Sequence, residues 1–250
     1  MKQNVWILCL CVNLLYTHQL VAQNSASDAL DAGIQDRIYS AFIDAFSNQS
    51  TTQLKQLQST INDSKSEQFK NYWLPYLKYY ESIYYLKTGD KKNAKKVIEE
   101  GIKILENVKK KDSESYALLA HLMSFSIQFE NLMSTIKKAN VVKECAEKSI
   151  KLDPNNPRAW YVLGCNDYYK PKEYGGKKKC EEYFLKAIRK KEPINKDSSN
   201  PSWGISDAYS LLVGYYMEVE KVELAKQYLK QGLELYPDDY MLNQYQTTLK

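Results

Sequence analysis

Few residues in this 250-residue chain have side chains that could do chemistry. Of its two histidines, His18 and His121, only His121 lies outside the apolar start of the chain. It stands beside Leu118 and Leu122 on what reads as the apolar face of a long helix, a setting more usual for a packed histidine than for a general base. No Ser-His-Asp or Cys-His arrangement, zinc-ligand spacing or dinucleotide fingerprint accompanies it. Glu99–Glu100 and Glu181–Glu182 are adjacent pairs, and adjacent helical residues point to different faces, so neither can act as a carboxylate dyad. The expectation is a protein that is not an enzyme and needs no metal or cofactor.

Two further groups carry chemical potential. Gly175 and Gly176 lead into Lys177, Lys178 and Lys179, where exposed backbone N–H groups and added positive charge could hold an anion. That site is weighed against a plain lengthened turn, because the phosphate-loop spacing is missing and no strand precedes it. Beyond the first 22 residues lie Cys145, Cys165 and Cys180, an odd number, and Cys180 falls where a small buried residue is needed. Free thiols packed as small hydrophobes are expected, with no disulfide within the chain.

The elements that must position these groups are helical. Hydrophobic residues make up 44% of the sequence, enough for a packed core, and only nine glycines and seven prolines interrupt it. Tyrosine occurs 21 times, against six phenylalanines and four tryptophans, which suits surfaces that are half apolar and half wet. Residues 1–22 differ from the rest: Lys2 is the only charge before Asp28, Val5–Leu15 is an apolar run, and Leu20 and Ala22 offer a cleavage pair. They read as a signal peptide, with an uncleaved anchor as the alternative, and no later stretch is apolar enough to span a membrane. Export to a periplasm or to the outside is the expected localisation, and nucleic acid is not the expected partner. The net charge of +5 is concentrated in runs such as Lys91, Lys92, Lys95 and Lys96, which are more often solvated helix faces than binding sites.

From Ile34 the apolar residues Ile34, Ile38, Phe42 and Phe46 mark a first helix, and Leu54, Leu57 and Ile61 a second, giving an atypical hairpin over 23–66. In a third hairpin from about Glu67 to Lys110, Pro75 falls inside the first turns of the longer helix and should start or kink it, and Gly89–Asp90 should turn the chain back. One long helix is expected from about Ser113 to Lys137. Tyr209, Leu212, Tyr216, Ala225, Leu229, Gly232 and Pro237 fall at positions 4, 7, 11, 20, 24, 27 and 32 of a 34-residue unit. Trp160, Leu163 and Gly164 open a similar unit, completed by Cys180, Phe184 and Ala187 after the Lys170–Gly176 insertion. Ser82, Tyr85, Ala94, Ile98 and Gly101 mark an earlier one.

This pattern resembles the tetratricopeptide (TPR) repeat family over residues 67–237, with 238–250 as a capping helix. The Asp153–Pro157 turn, the Pro171–Gly176 loop and Trp203-Gly204 resemble exported bacterial TPR proteins, and more weakly the soluble TPR component of tripartite ATP-independent periplasmic transporters. The resemblance implies an all-α helix-hairpin solenoid with atypical terminal helices, whose first helices line a concave face and whose work is binding. Carried onto this sequence, it puts Tyr76, Tyr79, Arg158, Tyr161, Tyr168 and Tyr169 on that face as partner-binding residues for a protein or peptide. Trp160 and Leu163 are then expected between the helices of their unit. Burial of several of these tyrosines by inserted segments is the competing reading. The competing function is a solute-binding accessory of a transport system, with an enclosed pocket at Tyr76, Tyr79 and Tyr161.

Overall fold

A computed structural model describes residues 32–190 and 198–249, so the expected signal peptide lies outside the described residues. Among them the regular structure is helical: α1 (Ile34–Ser47), α2 (Thr52–Asn62), α3 (Glu67–Lys87), α4 (Lys91–Asn107), α5 (Ser113–Ser126), α6 (Leu132–Leu152), α7 (Pro157–Tyr168), α8 (Cys180–Ile188), α9 (Ile205–Glu218), α10 (Val222–Leu235) and α11 (Tyr240–Thr248). The chain divides into two compact units. One contains residues 32–73 and 198–201, the other residues 74–190 and 202–249.

In the first unit, α1 and α2 form a hairpin. The buried face of α1 is Ile34, Ile38, Ala41 and Ala45, against Leu54, Leu57 and Ile61 of α2. The expected Phe42 and Phe46 are off that face, and Phe46 is exposed. A strict four-residue step overshoots the 3.6-residue turn, so the stripe drifts and Ala41 and Ala45 replace the two rings.

The second unit holds the repeats, and polar residues set where its helices begin. Asp90, Asp112, Asn131, Asn156 and Asp239 each accept a backbone N–H at the head of α4, α5, α6, α7 and α11. Asn131 accounts for a departure from expectation. The apolar stretch from Ser113 is not one helix but α5, a short 3-10 turn at Ile127–Phe129, and α6, whose first turn Asn131 caps through Ser134. Pro75 does not begin α3 but lies inside it, where its missing N–H leaves one carbonyl of the preceding turn without its helical donor.

Small residues let the helices of each hairpin approach. Ala94, Ala146, Cys180, Ala187 and Ala225 are all fully buried. A Cβ on Gly164 would come within 2.4 Å of the Phe184 ring, so glycine is what allows α7 and α8 to meet there. Trp160 is only half-buried; its indole lies beside Tyr183, takes Lys186 over its face at 4.5 Å and donates to the Pro154 carbonyl. Leu163 and Ala187 are buried as the repeat spacing requires, whereas Trp160 covers the outside of the hairpin.

Candidate functional site

Within the second unit, the inward faces of α3, α5 and α7 bring together Tyr76, Tyr79 and Tyr80, His121 and Phe125, and Tyr161 with Arg158. Trp203, just ahead of α9, joins them. Its indole stacks on His121 (centroids 4.7 Å apart, planes 29° apart) and on Tyr76 (6.3 Å, 27°), and meets Tyr161 edge-on (6.2 Å). Tyr79 completes the cluster 4.6 Å from His121 and 5.1 Å from Phe125. Trp203 is 6% exposed, and Gly204, with φ +95, turns the chain there.

This packing corrects three of the expected groove residues. Tyr76 and Tyr161, 2% and 8% exposed, belong to the core, because Trp203 lies across the face they were expected to present. Arg158, 3% exposed, is turned into a fixed ion pair. Its Nε and one Nη donate to the two carboxylate oxygens of Glu114, each at 2.6 Å, while Asn156 Nδ2 donates to Glu114 (3.0 Å) and to Ser113 (2.9 Å). A bidentate, buried guanidinium of this kind locks α7 to the head of α5.

Burial also fixes the titration of the cluster. It pushes the Tyr79 and Tyr161 hydroxyls well above the ordinary tyrosine range, Tyr79 being further raised by Tyr80, Asp207, Cys165 and Tyr169. It holds His121 down at about 4, so the imidazole is neutral at physiological pH. The thiols of Cys145, Cys165 and Cys180 are free, buried and raised by desolvation, Cys180 to about 11, which disfavours the reactive thiolate.

The other projected residues remain accessible. Tyr169 is 68% exposed and Tyr168 is half-buried beside it, ring centroids 5.1 Å apart. Tyr79 is also half-buried. Lys177 lies over the Tyr168 ring at 4.6 Å and pairs with Glu218 of α9, which Lys172 approaches at 3.6 Å. The Lys177 ammonium holds the Glu218 carboxyl below its ordinary range. The rest of this face on α9 is narrowed by α11, since a Cβ on Gly214 would fall 2.6 Å from the Tyr245 hydroxyl.

The expected anion site is filled from within. The Asp167 carboxylate accepts from Lys179 N (2.7 Å) and Cys180 N (2.8 Å), supplying the negative charge at the head of α8. Gly175 has φ +82, and a Cβ on Gly176 would fall 1.9 Å from the Lys170 carbonyl oxygen, so both glycines serve a tight turn. Lys177 is committed to Glu218. Spacing alone did not mark Asp167 as the cap or Trp203 as the plug. The Trp203-Gly204 pair ahead of a helix was the one local signal for the latter.

Comparison with known proteins places this arrangement. The family described as "Regulator of microtubule dynamics protein 1-3" matches residues 40–172, a little over half of the sequence. The chain belongs to this family. A tetratricopeptide repeat family matches residues 206–239, starting at the residue the 34-residue count makes position 1. Among solved structures, the thermophilic TPR protein TTC0263 of Thermus thermophilus superposes with a TM-score of 0.54 at 13% identity, over 86% of this chain and 98% of its own. It shares the fold, and the protein is a TPR protein with an all-α repeat architecture. YrrB, titled a TPR protein with an unusual peptide-binding site, aligns with a TM-score of 0.37 at 13% identity, over 92% of this chain and 97% of its own, an overlap too low to argue from. No curated protein matches the sequence. No described helix is long and apolar enough to cross a membrane, and no group of three or more His, Cys, Asp or Glu among the described residues could hold a metal ion.

Proposed function

We propose that this protein is a non-catalytic scaffold that takes a protein or peptide partner at the rim formed by Tyr168, Tyr169 and the Lys177–Glu218 pair. The observation that carries the reading is the exposed Tyr169 beside Tyr168 on an array of TPR hairpins. Tyrosine offers large contact area at small rotamer cost, and the neighbouring ion pair offers one donor and one acceptor group. The solute-binding alternative needs an enclosed pocket at Tyr76, Tyr79 and Tyr161; Trp203 stacks on Tyr76 and abuts Tyr161, which weighs against it. The test is capture of partners by the full chain, with Tyr169→Ala and Tyr168→Ala in parallel. Each substitution should weaken a captured partner by about 1–3 kcal/mol while the fold persists. A partner retained equally by both variants overturns this site.

Family membership favours a second reading, in which the partner is part of, or acts on, microtubules. Export through residues 1–22, the placement that the apolar start supports, is incompatible with a microtubule partner in the cytosol. An uncleaved segment that leaves the repeats facing the cytosol would reconcile the two. N-terminal sequencing of the native protein together with protease protection of intact vesicles separates the placements. A protected chain beginning near Gln23 supports export, and an accessible chain retaining Met1–Leu20 supports the microtubule reading. Co-sedimentation with assembled microtubules then tests the partner itself.

A further inference from the structure

A second surface lies away from the tyrosine rim. Between α10 and α11 runs an open groove of about 470 Å³, lined by Leu229, Leu233 and Leu249, with Lys226, Lys230, Glu234 and Gln246 around it. The repeat geometry says what shape such a groove takes. Lys226 follows the small buried Ala225 on α10 as Glu181 follows the small buried Cys180 on α8. On α8 that place is covered by the next repeat: Glu181 accepts from the Tyr216 hydroxyl of α9 at 2.9 Å and meets Lys221, at the head of α10, at 3.6 Å. On α10 the corresponding Lys226 is exposed, and neither it, Lys230 nor Glu234 has an ion-pair partner among the described residues.

We infer that this groove docks one amphipathic helix of a partner protein, carrying small, large and small apolar residues at steps of four and three and acidic residues along one flank. The apolar pattern is that of the helices that close the repeats within the array: Ala94, Ile98 and Gly101 on α4; Cys180, Phe184 and Ala187 on α8; Ala225, Leu229 and Gly232 on α10. Three leucines supply the floor for its large residue. The acidic flank answers Lys226 and Lys230, one turn apart, while Glu234 one turn further asks for a basic residue at that end and so fixes the helix direction. Gln246 stands on α11 at the count where Leu163 and Leu212 stand on α7 and α9, and it is exposed. A polar residue there keeps the empty groove wettable, which suits a partner that comes and goes.

The test uses the full chain and a synthetic helical peptide of about 16 residues bearing alanine, leucine and alanine at those steps, two glutamates facing the lysines and a lysine facing Glu234. Fluorescence polarisation reads its binding. Saturable binding is expected, at least about tenfold tighter than a scrambled peptide of the same composition. Lys226→Glu with Lys230→Glu, both on exposed sites, should weaken it by about tenfold or more and restore affinity for a peptide with lysines in place of the two glutamates. Leu249→Asp should abolish binding of both peptides. Binding no tighter than the scrambled control, or no effect of the charge reversal, overturns the inference. Self-association in sedimentation that Leu249→Asp removes also overturns it, because the occupant would then be a second copy. Tyr169→Ala leaves this binding unchanged, so failure here and failure at the tyrosine rim are separate results.

Discussion

The ring cluster around Trp203 and the rim at Tyr168–Glu218 both draw tyrosines from α7, yet Tyr161 in the first is buried and Tyr169 beside the second is exposed. Tyr161 and Tyr168 lie on one helix, two turns apart, and differ because Trp203 packs edge-on against the first and solvent reaches the second. Residue type therefore tells little about whether a TPR face is free to bind. The segment that crosses the face matters more, because one indole removes several rings from water at once.

The largest effect should come from removing that indole. Trp203→Ala should cost about 3–5 kcal/mol in chemical denaturation, through lost burial and the cavity left among Tyr76, His121 and Tyr161. A cost below about 1 kcal/mol would mean the cluster relaxes easily and the face is open in solution.

His121 should make the ring cluster pH-sensitive. Its pKa falls from 6.5 to about 4 on folding, so the unfolded chain binds the extra proton first as the solution is acidified. The stability contributed is present above pH 6.5 and lost progressively between pH 6.5 and 4, by up to about 3 kcal/mol. Denaturation midpoints of the wild type and His121→Gln across that window should diverge, the variant lacking this part of the slope. Parallel profiles would show that His121 is solvated.

Trp160 tests the outer side of the α7–α8 hairpin. Because it is half-buried against Tyr183 and Lys186, Trp160→Ala should cost about 1–2 kcal/mol, well below Trp203→Ala. Equal costs would erase the distinction between a plug and a cover.

The wet rim should contribute least. Tyr169→Ala should change stability by no more than about 0.5 kcal/mol, and Glu218→Gln by less than about 1 kcal/mol, shrinking with added salt. A thermal shift comparable to that of Trp203→Ala would make the rim part of the core.

The sequence by itself determined the repeat architecture of the second unit, since small and large residues recur at fixed steps wherever two helices must approach. Ala225, Leu229 and Gly232, or Cys180, Phe184 and Ala187, are legible because close packing restricts each position locally. It also anticipated a packed His121 and the buried free thiols. Which aromatic residues reach solvent was decided only by tertiary structure. Tyr76, Arg158 and Tyr161 are claimed by Trp203 and Glu114, residues more than 30 positions away whose approach no local spacing encodes. The glycine–lysine run at 175–179 lost its expected anion for the same reason: Asp167, across a loop, already supplies the charge. A periodic pattern specifies neighbours one turn away, whereas burial and charge pairing depend on what the rest of the chain brings to the surface that pattern creates.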